Sequence, residues 1–179
     1  MAEFSCIVPG RLWQVRNLLP QPEADEILAI DWLSLTHDTA ANLDLRRQIA
    51  WYDPVAQHVG QYINQQLPNI NSALGTEFTL SGGHFWIDLP GFTCDLHTDG
   101  HLPTAMQVYW TVPSAAYGTG FYHFKNNNSL RHQFASRPNS GYIMLNHANP
   151  DGSQPLQWHA MLNPVPLGHI RVTSYWCFE

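Results

Sequence analysis

The chain has 179 residues, 44% hydrophobic and 12% charged, enough apolar material for one packed domain and too much for a disordered chain. Its net charge of −6, with no Lys/Arg run beyond Arg46-Arg47, argues against nucleic-acid binding. No apolar stretch approaches the roughly 20 residues of a membrane span, and the start lacks the basic-then-apolar order of a secretory signal, so a cytoplasmic, non-membrane protein is expected.

Cys6, Cys94 and Cys177 are widely spaced and form no Cys-x-x-Cys, so neither a disulfide framework nor a structural zinc site is expected. The first part of the chain reads as helical. Pro22 followed by Glu23, Asp25 and Glu26 predicts a helix start, with Ile27, Ile30 and Leu33 as its apolar stripe. Leu43 to Ala50 predicts a second, short helix. Asp53 as N-cap, Pro54 at the first position and Val55, Val59, Tyr62, Ile63 and Leu67 on one side predict a third helix, stopped by Pro68.

From about Phe78 the texture changes to short apolar runs between Gly, Pro and Asn clusters. Strands are predicted at Phe78 to Leu80, Gly83 to Leu89, Ala105 to Val112, Gly120 to Phe124, Gly141 to Asn146 and Gly168 to Phe178. Helices followed by short strands point to a mainly β (α+β) jelly roll or sandwich buttressed by helices.

Ten histidines raise the question of metal binding. On an extended chain alternate side chains share a face, so His97 and Asp99 project together while Thr98 points away. An imidazole and a carboxylate are two members of the facial triad that holds non-haem iron(II). A further histidine from another strand must complete it. His159, in Gln157-Trp158-His159-Ala160 and 12 residues before Arg171, is the leading candidate; His147, in Asn146-His147-Ala148, is the alternative. On the strand from His169 to Trp176, Arg171, Thr173 and Tyr175 fall on one face. A guanidinium fork beside a hydroxyl is suited to gripping a carboxylate.

These residues resemble the 2-oxoglutarate/Fe(II) dioxygenases, in particular their prolyl-hydroxylase-like branch, over roughly residues 83–178. His97-x-Asp99 is similar to the family's first two ligands, Gly118-Thr119-Gly120-Phe121 to its glycine turn, Gly141 to Asn146 to the apolar strand before the distal histidine, and Arg171-Val172-Thr173 to its co-substrate clamp. The resemblance implies one domain over residues 1–179, with supporting helices in 1–70 and a double-stranded β-helix core in 78–179. It implies Fe(II), 2-oxoglutarate and dioxygen as cofactor and co-substrates, with His97, Asp99 and His159 on the metal. It also places Arg171, Thr173 and Tyr109 on 2-oxoglutarate. The implied reaction is hydroxylation of a C–H bond in a small-molecule or peptidyl substrate, with release of succinate and CO2, and the carboxylate at Asp99 speaks against a halogenase. A jelly-roll protein that binds a metal or small molecule without 2-oxoglutarate turnover is the alternative.

Beyond the triad, Trp86 and Asp88 are candidates for the substrate mouth, and Lys125, Arg131 and Arg137 for flanking it and drawing in an anionic substrate. His84, His123 and His132 are expected at strand edges or turns, and His101 on a solvated loop.

Overall fold

A computed structural model describes residues 2–35, 38–99, 104–125, 127–145 and 158–179. Eleven strands and two α-helices occur among them: β1 (Glu3–Val8), β2 (Leu12–Arg16), α1 (Gln21–Leu28), β3 (Asp38–Leu43), β4 (Arg46–Ile49), α2 (Pro54–Leu74), β5 (Leu80–Asp88), β6 (Thr104–Thr111), β7 (Thr119–Tyr122), β8 (Leu130–Phe134), β9 (Ser140–Leu145), β10 (Trp158–Met161) and β11 (Arg171–Phe178). The large sheet runs β1-β2-β9-β6-β11-β5-β4-β3 and the small one β10-β7-β8. Neighbouring strands are antiparallel throughout. This is the double-stranded β-helix expected from the sequence, a mainly β fold with supporting helices.

Strand alternation assigns each residue to a layer. On β11, Val172, Trp176 and Phe178 point outward and pack with Phe85, Ile87, Met106 and Ile143 against Ala24 and Ile27 of α1 and Ala56, Val59 and Ile63 of α2. Ser174 on the same face accepts hydrogen bonds from the indole nitrogens of Trp110 (2.8 Å) and Trp176 (2.6 Å), so both buried N–H groups are satisfied. The opposite face looks toward the small sheet. There Tyr109, Tyr142 and Met144 meet Phe121 and Phe134.

Three readings of the first 70 residues are corrected. Four strands lie there, and Leu43 to Ala50 is not helical but contains β4, which pairs with β5. Burial overrides helix propensity at this point: Ile49 is fully buried opposite Phe85, as only a strand edge-on to β5 permits. Helix α1 ends at Leu28, so Ile30 and Leu33 leave its stripe; Leu33 is half exposed, and Trp32, with its ring 4.7 Å from Phe85, is buried instead. Helix α2 begins as expected, with the Asp53 carboxylate accepting from the Val55 N–H at 2.8 Å, but it passes through Pro68 and ends at left-handed Gly75 (φ 69°). Pro68 and Asn64, whose carbonyl loses its helical partner, are both exposed, on the side of the helix where the lost bond costs least. No helix among the described residues is long and apolar enough to cross a membrane.

Candidate metal centre

The segment after β5 runs alongside β10, held by Val165 N–H to Phe92 O (2.9 Å), Met161 N–H to Cys94 O (3.1 Å) and a reciprocal pair between His97 and His159 (3.0 and 2.9 Å). Directly opposed residues of such a pair project side chains to one side. The two imidazoles therefore sit together, with ring centres 4.3 Å apart. Asp99, two residues on, turns its carboxylate between them: Oδ1 lies 3.6 Å from His97 Nε2 and Oδ2 3.5 Å from His159 Nε2. Two nitrogens and one oxygen within 4.8 Å of one another form a three-point donor set that a metal ion can bridge.

The surroundings fix these groups. His97 Nδ1 is 2.7 Å from the Asp95 carbonyl, which only accepts, so Nδ1 carries a hydrogen and the lone pair of the neutral ring falls on Nε2. Phe121, opposite His159 on β7, stacks on its ring at 5.4 Å. The Tyr175 hydroxyl donates to Asp99 Oδ2 at 2.9 Å. Burial works against charge on Asp99, but the His159 ring, Tyr175 and His97 outweigh it and hold the carboxyl at about 2. The Cys94 sulfur, 3.6 Å from Nδ1, raises His97 to about 9 against the opposing effect of burial, with the Asp95 carbonyl and Asp99 adding to the rise.

The donor set opens into a cavity of about 230 Å³ between the sheets, walled by His84, Trp86, Gln107, Arg171 and Tyr175 on one side and Thr119, Ala160 and Met161 on the other. No family model matches the sequence, and no curated protein matches it either. Solved structures do match. The chain superposes on the viral collagen prolyl hydroxylase of Paramecium Bursaria Chlorella virus-1, in its 2OG complex, with a TM-score of 0.65 and 14% identity over 94% of both chains. A 2OG-Fe(II) oxygenase family oxidoreductase from Burkholderia pseudomallei gives 0.66 at 8% identity, over 99% of this chain and 84% of that one. A Pseudomonas putida prolyl-4-hydroxylase gives 0.60 at 17% identity, over 94% and 92%. The fold is that of the 2-oxoglutarate/Fe(II) oxygenases.

Within this oxygenase fold, Arg171 occupies the inner face of β11 as the alternation predicted, but it already grips a carboxylate. Its Nε and Nη2 donate to Asp88 Oδ2 at 2.8 and 2.6 Å, and Nη1 reaches the Tyr117 carbonyl at 3.3 Å. Asp88 is therefore not at the substrate mouth: it is fully buried, and Arg46 donates from Nε to its other oxygen at 2.5 Å. Register explains the cluster, since Asp88 pairs with Arg171 on one side and Arg46 on the other, giving three inward side chains in one cross-strand row. In the next row Thr173 lies between Trp86 and Tyr109. The Tyr109 hydroxyl donates to Thr119 at 2.6 Å, and burial pushes it up to about 12. Thr173 Oγ1 is buried with no hydrogen-bond partner among the described residues.

Trp86 lines the cavity, whereas Lys125, Arg131 and Arg137 do not contribute to its wall. His84 is corrected from strand edge to cavity wall, because Tyr175 on central strand β11 pairs with it and both face inward. Burial and the nearby Arg46 charge press its imidazole down to about 4. His123 is exposed after β7 and His132 lies on edge strand β8. His101 and His147 lie outside the described residues. Arg46, Gln107 and Met161 are wall residues to which sequence reasoning assigned no role, and Thr119, noted only as part of the glycine turn, joins them.

Proposed function

We propose that the chain is an Fe(II)- and 2-oxoglutarate-dependent oxygenase that hydroxylates a C–H bond, with iron held by His97, Asp99 and His159. The observation that carries this reading is the backbone-paired His97 and His159 with the Asp99 carboxylate between their Nε2 atoms. Two imidazoles and one carboxylate on one side of a metal leave its other positions free for co-substrate and dioxygen. The cavity fits 2-oxoglutarate as well. Arg171 keeps donors beyond those spent on Asp88, the Tyr109–Thr119 hydroxyl pair lies within the field of its charge, and Thr173 supplies a buried hydroxyl that lacks a partner. These groups would take the distal carboxylate of the co-substrate. Bound iron, 2-oxoglutarate and dioxygen supply the oxidation, with succinate and CO2 as by-products.

The residues of the chain do the rest. The Asp95 carbonyl keeps His97 in its ligating tautomer, Phe121 orients His159, and Tyr175 occupies one oxygen of Asp99. Trp86, Met161 and Ala160 give the cavity apolar wall that excludes water from the reacting centre.

Anaerobic addition of Fe(II) and 2-oxoglutarate should produce a weak visible charge-transfer band, and air should then give succinate. The absence of both signals would sink the reading; a band without succinate would leave a binding protein without turnover. Tyr175→Phe keeps the ring against His84, 5.6 Å away, but releases Asp99, so iron affinity should fall about tenfold in a competition assay. Unchanged affinity would mean that Tyr175 does not position the carboxylate.

A further inference from the structure

Two of the chain's eight cationic residues line a single cavity in a protein of net charge −6. Desolvating a second guanidinium is costly unless something negative is to meet it there. Arg171 is the deeper of the two, 1% exposed and close to the Tyr109–Thr119 pair. Arg46 enters from β4, the strand beside edge strand β3, with its side chain 13% exposed. Its Nε is spent on Asp88, and its guanidinium carbon lies 4.8 Å from the Trp86 ring centre and 4.0 Å from that of Phe92. An anchored Nε and two aromatic contacts fix the guanidinium plane. Nη1 and Nη2 have no hydrogen-bond partner among the described residues, so a two-nitrogen fork is left on the cavity side.

We propose that Arg46 is a specificity-determining residue that binds the carboxylate of the prime substrate, which is accordingly a small free carboxylic acid. This rests on the oxygenase reading, in which Arg171 is occupied by 2-oxoglutarate. Carboxylates and guanidiniums then alternate: co-substrate, Arg171, Asp88, Arg46, substrate. Every charge in that row has only opposite neighbours. A monoanion suits the Arg46 end better than a dianionic phosphate, because Asp88 lies 2.5 Å from the same guanidinium. Further along the wall, His84 Nε2 is buried without a partner among the described residues, its ring edge-on to Trp86 at 4.8 Å, and offers the same substrate a neutral hydrogen bond.

The test uses the full chain loaded anaerobically with Fe(II) and 2-oxoglutarate. Acetate, propionate and benzoate, their primary amides, and methyl phosphate are titrated by calorimetry. At least one acid should bind about tenfold or more tighter than its amide and than methyl phosphate, a preference that Arg46→Gln removes. The acid–amide comparison is made on the unaltered protein, so it stands even if Arg46→Gln folds poorly. No acid outbinding its amide, methyl phosphate binding best, or Arg46→Gln retaining the preference each overturns the proposal. Absence of the visible band on loading sinks the oxygenase reading instead, so the two fail separately.

Discussion

Asp99→Ala is expected to abolish both iron retention after desalting and succinate formation. Asp99 is the only carboxylate in the donor set, and the alanine leaves two neutral nitrogens, too few to hold a labile divalent iron. Groups that merely orient a metal ligand typically cost about 10–100-fold when removed, so losing a direct ligand should exceed about 100-fold. The fold should survive, because Asp99 sits outside the strands and is partly exposed. Iron content by elemental analysis and succinate by mass spectrometry, beside an unchanged circular dichroism spectrum, would complete the test. A variant that keeps iron and full turnover would remove Asp99 from the site.

The His97–Asp99 half of the candidate metal centre was legible because its logic is local, whereas His159 joins it through a long-range pairing. His97 and Asp99 are two residues apart, and period-two geometry alone puts them on one side. The inward face of β11 was legible for the same reason, as were β5, β6, β7, β9 and β11, whose apolar runs are cut by Gly and Pro, whereas the short strands β8 and β10 were not predicted. What failed depended on register between distant strands. Nothing in Arg46 itself shows that it stands opposite Asp88, or that Asp88 stands opposite Arg171; those pairings are set by sheet order β11-β5-β4. Short strands near the N-terminus failed for another reason. Leu43 to Ala50 carries as much helix as strand preference, and burial of Ile49 against β5 decides the outcome. A signal was nevertheless available in Ile7-Val8-Pro9-Gly10 followed by Leu12-Trp13, apolar runs around a Pro-Gly turn, which is the hairpin β1–β2.

Arg171→Ala should act twice, on stability and on co-substrate use, and the two effects can be separated. The guanidinium and Asp88 are both buried, and removing one partner leaves Asp88 held only by the Nε of Arg46. Breaking a buried pair in this way costs about 3–5 kcal/mol. The lower end applies because Arg46 remains, and for a chain of this size about 3 kcal/mol lowers the melting temperature by roughly 6–12 °C. The requirement for 2-oxoglutarate should rise by about tenfold or more, since a charge-assisted contact to its distal carboxylate is lost. Asp88→Asn in the Arg171→Ala background removes the stranded charge, so it should recover part of the melting temperature with a coupling of about 0.5–3 kcal/mol. It should recover none of the 2-oxoglutarate affinity. If the double variant restored both, Arg171 would be a structural partner of Asp88 and nothing more. If Arg171→Ala melted like the unaltered protein yet still lost 2-oxoglutarate, the pair with Asp88 would contribute no stability and would serve instead to aim the guanidinium into the cavity.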